Sequence, residues 1–251
     1  MNKSANPSAV VIIIGNEILS GRTRDANLSY IGKRCDELGI RLQHARVIED
    51  DEQTIIDTVN QCRRQYDYIF TTGGIGPTHD DITTLAIAKA FGVKLERNPE
   101  AVAVLDKYYA PGMLNEARLK MADIPAGAAL IPNPVSGAPG IHIGNVFVLP
   151  GVPSIMQAMF EGIVDRLIGG DPMITASIRT NLAEGTFAAD LTTLQQQFPD
   201  VSIGSYPFFR MGMPGVNLVL RSTDQDRVSS AQALVIAMID KLGGKILNPE
   251  G

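Results

Sequence analysis

The sequence predicts an α/β protein: a mostly parallel sheet covered by helices on both faces, followed by a smaller α+β domain. Three observations carry this reading. Near-continuous apolar runs alternate with helix-period segments from Ala9 onward, as expected for buried parallel strands joined by crossover helices. Glycine-rich turns stand where strands hand over to helices, above all at residues 73–76. After Gly169 and Gly170 the pattern changes to strand, helix, hairpin, helix.

Residues 9–14 (AVVIII) read as the first buried strand, ending in GNEILSG at 15–21. A helix over 25–38 follows, with Leu28, Ile31, Cys35 and Leu38 at helical spacing and Gly39 as its stop. Residues 41–48 form the second strand, with Glu49, Asp50 and Asp51 at its end, and 52–64 the next helix. Residues 67–72 (DYIFTT) run as a strand into GGIGPTHDD, and a helix covers 82–91. Residues 99–121 read as helical with an interruption at 108–112, where YYAPG breaks the hydrogen-bond ladder. A proline- and glycine-rich stretch at 124–140 leads to one strand over 141–150, the turn PGVPS at 150–154 and a helix over 155–167. The first domain is expected to span 1–168 and the second 169–251. In the second, a strand over 173–182, a helix over 186–198, a hairpin of 201–209 with 215–221 joined by MGMPG, and a helix over 227–242 make a β-α-β-β-α unit. It has no glycine loop, metal-ligand cluster or basic stripe, which favours a packing or dimerisation module.

Composition narrows the function. A hydrophobic fraction of 45% in 251 residues supplies a sizeable core. A net charge of -5, with aromatic residues at 6% and no tryptophan, gives neither a basic footprint nor a stacking surface, so nucleic acid is not an expected partner. The run at 9–14 is too short to span a bilayer, and its flanks, MNKSANPS and GNEIL, do not resemble a signal peptide. No membrane partner is expected, and the cytoplasm is the expected location. Cys35 and Cys62 lack metal-ligand spacing and read as free thiols in a reducing compartment. His44, His79 and His142 have no zinc-ligand spacing.

The chemistry is carried by loops. In TTGGIGPTHDDIT, Gly73, Gly74 and Gly76 expose backbone N–H groups before a helix N-terminus, a setting that favours phosphate. Thr72 and Thr78 add hydroxyl donors, and Pro77 stiffens the turn. The loop is neither GxGxxG nor a lysine-bearing Walker loop, which removes most support for dehydrogenase and ATPase readings. The plain alternative is a turn in which Asp80 or Asp81 caps the helix. Beside a phosphate, a carboxylate suits Mg²⁺, so Glu17, Asp50, Asp80 and Asp81 are candidate metal ligands converging at the carboxyl end of the sheet. For Asp50 and Asp51 the plain alternative is a solvated turn and helix start. Gly15 and Asn16 belong to the first loop. Asn133, Ser136, Gly137 and Gly140 lie in NPVSGAPG, and Gly151 and Pro153 in PGVPS. All are candidate ligand-binding residues for one small phosphate-bearing molecule.

The stretches IIIGNEILSGRTRDAN, TTGGIGPTHDDIT, MADIPAGAALIPNPVSGAPG and PGVPSIM, in that order, resemble the MoaB/Mog-like molybdopterin-binding domain of the competence/damage-inducible protein A family, also attached to eukaryotic FAD synthase. The match covers roughly residues 8–168, and the later segment resembles the small domain that follows in competence-type proteins. The resemblance implies a three-layer α/β/α domain, a homo-oligomer, and either molybdopterin binding or metal-dependent hydrolysis of a nucleotide pyrophosphate such as ADP-ribose or FAD. It implies that residues 73–78 are the ligand loop, that Asp50 and Asp81 are catalytic, and that residues 136–140 and 151–153 are accessory loops. Asn16 stands where the family often has aspartate, and Ile155 where glutamate is common. The amidohydrolase domain of many relatives is absent up to Gly251, so no nicotinamide-mononucleotide deamidase activity is expected. A Mg²⁺-assisted pyrophosphatase, a pterin-binding protein and a non-catalytic oligomeric scaffold are the functional expectations.

Overall fold

The computed structural model describes residues 6–210 and 213–247. The first five residues of the N-terminal flank, and Met211 and Gly212 of the expected hairpin connector, lie outside them. The chain divides into two compact units, Met1–Gly170 and Asp171–Gly251.

The first unit is a three-layer α/β/α sandwich. Its six-stranded sheet has the order β2-β1-β3-β8-β7-β6. Strands β1 (Ser8–Ile14), β2 (Arg41–Ile48), β3 (Tyr68–Thr72) and β8 (Val146–Leu149) run parallel, with Ile13 of β1 beside Val47 and Thr72. The apolar run of β1 is explained by burial on both faces. Val10, Ile12 and Ile14 join one core with Ile55 and Val59 of α3 (Glu52–Cys62) and Ile87 of α4 (Thr83–Phe91). Ala9, Val11 and Ile13 join the other with Ile31 and Cys35 of α2 (Asn27–Glu37) and Met156 and Phe160 of α7 (Pro153–Glu161). Phe70 packs on Phe147 and Phe160 there at ring separations of 5.6 and 5.3 Å. Such aromatic pairs add about 0.5–1.5 kcal/mol each beyond their buried area.

The structure departs from the sequence reading in particular places. Residues 141–150 are not one strand but a hairpin of β7 (Gly140–Ile143) and β8, because Gly144 takes φ +59° and turns the chain. The Gly144-Asn145 pair is a turn signal that the apolar run concealed. The Asn145 side chain fixes the turn by donating to the carbonyls of Arg63 and Tyr66 at 3.1 and 2.8 Å. Strand β6 (Ala129–Ile131) completes the sheet, and β4 (Leu95–Arg97) pairs separately with β5 (Asp123–Pro125). The expected helix over 99–121 is split into α5 (Pro99–Tyr108) and α6 (Glu116–Leu119) at the anticipated interruption. A short α1 (Asn16–Leu19) occupies the loop after β1.

The second unit comprises β9 (Ile174–Thr180), α8 (Glu184–Gln197), β10 (Ser202–Arg210), β11 (Met213–Ser222), α9 (Gln225–Lys241) and β12 (Ile246–Leu247). Its antiparallel sheet has the order β10-β11-β9-β12, a split β-α-β arrangement. The two-residue β12, too short to announce itself, adds a strand to the expected β-α-β-β-α unit. One sheet face packs Ile178, Leu218 and Leu220 against Phe187 of α8 and Val235 of α9. Among the described residues no helix is long and apolar enough to cross a membrane.

Candidate functional site

From β1 the chain moves to β2 on one side and then to β3 on the other, so the strand order reverses at β1. Open parallel sheets bind ligands at such a switch, outside the carboxyl ends of the strands. A cleft of about 490 Å³ lies there. The loops after β1, β3 and β8 form it, with Asp50 contributed from beyond β2.

Backbone packing holds these loops together. Gly15 N–H donates to the Ile48 carbonyl at 3.1 Å, and Gly73 N–H to the Leu149 carbonyl at 3.0 Å. Gly73 has φ +107°, and a Cβ there would meet the Ile14 carbonyl oxygen at 2.2 Å. Glycine is therefore the residue that lets the β3 loop sit on the end of β1. A Cβ on Gly151 would reach the Gly73 Cα at 3.5 Å, which brings the β8 loop against the same point. Helix α7 begins at this wall with Pro153 in its first turn and no side-chain cap, so its positive end faces the cleft.

Of the residues named from sequence, Glu17, Asp50, Gly73, Gly74, Gly76, Asp80, Asp81, Gly151 and Pro153 line this cleft. Gly15 and Asn16 do not line it; Asn16 N–H donates to Asp50 at 2.8 Å. Thr72 lines an adjoining recess instead. Pro77 and Thr78 shape the loop without lining the cleft. Asp81 accepts from Thr78 N–H at 2.8 Å, and the Thr78 hydroxyl lies 2.5 Å from an oxygen of both Asp80 and Asp81. Neither aspartate caps α4, whose N-cap is Ile82 without a side-chain bond. The capping alternative fails because Asp81 turns back into its own loop. Asp51, in contrast, caps α3 through Thr54 N–H at 2.8 Å, and that bond holds its carboxyl below the usual range.

The loop bearing Asn133, Ser136, Gly137 and Gly140 is not brought to the cleft lining. Asn133 donates to the Ser136 hydroxyl at 2.7 Å and the Ala138 carbonyl at 2.8 Å, and accepts from the N–H groups of Val135 and Ser136. Its hydrogen-bonding capacity is spent on the turn. Gly137 makes room for the Tyr108 ring, and Gly140 for the Val148 carbonyl within the sheet.

The acidic groups share the cleft, but among the described residues no three His, Cys, Asp or Glu side chains are grouped to hold a metal ion. Asp50 is engaged by Asn16 N–H, and Asp80 and Asp81 by Thr78. The Glu17 carboxylate folds back beside Gly15, where a Cβ would meet it at 2.6 Å. The set Glu17, Asp50, Asp80 and Asp81 therefore does not fit a resident Mg²⁺. Mg²⁺ in phosphate chemistry is commonly held by one or two carboxylates plus substrate oxygens. The Thr78 hydrogen bond, with the Lys120 charge nearby, holds Asp80 below the usual carboxylate range. Lys120 also donates to the Thr78 carbonyl, a contact the sequence did not announce.

Asn27 was missed as well. It is buried at the start of α2, and its amide donates to the Gly151 carbonyl at 2.8 Å. Its spacing from Ile31 and Cys35 put it on the buried stripe of α2, and a polar residue on such a stripe was the available signal.

The family model described as "Probable molybdopterin binding domain" matches residues 10–169, and that of "FAD synthase, middle domain" matches residues 172–243. A protein of Pyrobaculum calidifontis is 37% identical over 212 residues, covering 80% of this chain and 81% of its own length. A Caenorhabditis elegans protein named "Probable FAD synthase" is 30% identical over 266 residues, covering 96% of this chain; the chain spans 51% of that relative. The crystal structure of the protein CinA of Thermoplasma acidophilum, of unknown function, is similar with a TM-score of 0.61 at 36% identity, over 65% of this chain and 99% of that one. The chain thus belongs to the MoaB/Mog-like molybdopterin-binding domain family, with a FAD synthase middle domain following it.

Proposed function

We propose that the first unit binds a phosphate-bearing pterin or nucleotide, with the phosphate on the loop at residues 73–76. The observation that carries this is the convergence of the β1, β3 and β8 loops on Gly73, which leaves a cleft walled by backbone and by the uncapped start of α7. The likeness to molybdopterin-binding and FAD synthase domains supports a pterin- or nucleotide-related role. Calorimetric titration of the full chain with ADP-ribose, FAD, molybdopterin and inorganic pyrophosphate tests it. Saturable binding of at least one organic ligand, competed by pyrophosphate, is expected. Failure of all four to bind a folded protein overturns it.

A second reading, hydrolysis of a nucleotide pyrophosphate, is favoured by the four carboxylates in the same cleft. In this reading Asp50 and Asp81, both on the cleft wall, orient a water or accept its proton. Any Mg²⁺ would enter as part of the substrate, since among the described residues no three acidic, histidine or cysteine side chains are grouped to hold one. Release of AMP from ADP-ribose or FAD, dependent on Mg²⁺ and lost in Asp81→Ala, supports hydrolysis. Binding without turnover leaves the protein a pterin or nucleotide binder.

A further inference from the structure

Beside the cleft lies a smaller recess of about 60 Å³, which shares Glu17, Thr23, Gly151 and Pro153 with it. Two of its walls are Asn27, 3% exposed, and Thr72, 1% exposed. Asn27 Nδ2 donates to the Gly151 carbonyl, which fixes the amide and leaves Oδ1 as an acceptor with no partner. Thr72 Oγ1 likewise has no partner. A buried polar atom left unpaired costs roughly 1–3 kcal/mol, so two such atoms on residues of one recess wall favour a hydrogen-bonding guest.

We propose that this recess receives a hydroxyl or amino group of the ligand, and so selects for a donor on the part of the molecule beyond its phosphate. The proposal rests on the binding reading above. Asn27 Oδ1 can only accept, so the guest must donate; Thr72 can then donate or accept. Glu17 and Asp25 on the recess wall add acceptors, and Arg24 on the same wall offsets one of their charges, so the lining suits a neutral donor and leaves the phosphate to the glycine loop. The volume admits a substituent of a few heavy atoms and not a fused ring. The ligand class is therefore a phosphate ester carrying a nearby ribosyl hydroxyl or an amino-substituted heterocycle. Inorganic pyrophosphate leaves the recess unfilled.

Thr72→Val in the full chain isolates the effect, because the lost hydroxyl bonds nothing among the described residues. The melting temperature should hold or rise, while affinity for ADP-ribose or for molybdopterin falls about tenfold. Affinity for inorganic pyrophosphate should not change. A loss confined to molybdopterin identifies an amino guest; a loss seen also with ribose 5-phosphate, which carries hydroxyls and no amino group, identifies a hydroxyl guest. Thr71→Val is the control: Thr71 Oγ1 is also buried without a partner but does not line the recess, so all affinities should stay at wild type. Wild-type affinity of Thr72→Val for both organic ligands means the recess holds water only and overturns the proposal. So does an equal loss for pyrophosphate. No binding of any ligand by the wild-type chain overturns the cleft reading itself, and this one with it.

Discussion

A Cβ added at Gly73 would stand 2.2 Å from the carbonyl oxygen of Ile14, so the glycine loop is seated directly on the end of β1. Gly73→Ala must move backbone, and it must also hold φ near +107°. Strain of this kind costs about 1–3 kcal/mol and overpacking a similar amount, so a loss of about 3 kcal/mol is expected. At about 2–4 °C per kcal/mol, the melting temperature falls by roughly 6–12 °C. Gly92 also has positive φ, +67°, but faces open space. Gly92→Ala should therefore cost only about 1 kcal/mol. Thermal unfolding by circular dichroism compares the two; equal losses would mean that Gly73 is kept for its φ alone.

The Thr78–Asp80 contact gives the glycine loop a pH dependence. Asp80 sits below the ordinary carboxylate value because the Thr78 hydroxyl bonds its charged form. Its folded value is depressed, so its contribution is fully present above about pH 4 and is lost as pH falls through the lowered value. Carboxyl carbon chemical shifts should show Asp80 titrating below the ordinary aspartate value. In Thr78→Val the midpoint should rise toward the ordinary value. An unchanged midpoint would assign the shift to the backbone N–H of Asp80 itself and to the charges of His79 and Lys120.

The glycine loop was legible in sequence because its signal is local: three glycines between a strand and a helix have few other uses. The partners of that loop were not. Whether Asp81 caps α4 or turns onto Thr78 depends on where Ile82 starts the helix, which is a matter of one residue. Asn133 and Ser136 look like ligand groups when written in a line, yet they satisfy each other in a closed turn. The β7–β8 hairpin was hidden because Gly140–Ile143 and Val146–Leu149 are buried except for the half-buried His142 and read as one largely apolar run. Asn27 required knowing that α2 and the β8 loop meet, a contact between residues 27 and 151 that no local pattern states.

Helices α2 and α7, which carry Asn27 to the recess and Pro153 to the cleft, are clamped by Glu161. It accepts from Tyr30 at 2.5 Å and from two nitrogens of Arg34 at 2.7 and 2.9 Å. Burial, and then the bond to Glu161, push the Tyr30 hydroxyl up to about 12. A raised folded value means the stabilisation is present below about pH 10 and is lost as pH rises through about 12. Tyrosinate absorbance should show one late-titrating tyrosine. Glu161→Gln should bring that step down; persistence of the late step would assign it to burial alone.

Cys35 and Cys62 are buried and unpaired, and burial pushes the Cys35 thiol up to about 12. The thiolate is the reactive form, so neither should react with a disulfide reagent in the folded chain at neutral pH. Both should react in denaturant. Release of thiol before unfolding would mean that α2 or α3 opens locally.

Gln195 does in the second unit what a neighbouring strand would otherwise do. Strand β10 is the sheet edge, and its Ile203 N–H is taken by Gln195 Oε1 at 3.0 Å. Gln195 Nε2 donates to the carbonyls of Phe198 and Val201 at 3.0 and 2.8 Å, pinning the turn between α8 and β10. Pro207, further along the same edge strand, contributes no N–H at all. Gln195→Leu removes three bonds worth about 0.5–1.5 kcal/mol each, so a loss of roughly 2–3 kcal/mol is expected. It also frees the Ile203 N–H as a template for another chain, so self-association should rise. Amide exchange read at Ile203 should be slow in the wild type and fast in Gln195→Leu. Gln195→Glu sharpens the test. At neutral pH its carboxylate faces two carbonyl oxygens and should be no better than leucine. Once protonated it regains one donor and keeps the acceptor for Ile203, so protection should return as the pH is lowered. A glutamate variant protected equally at both pH values would show that the turn holds Ile203 without Gln195.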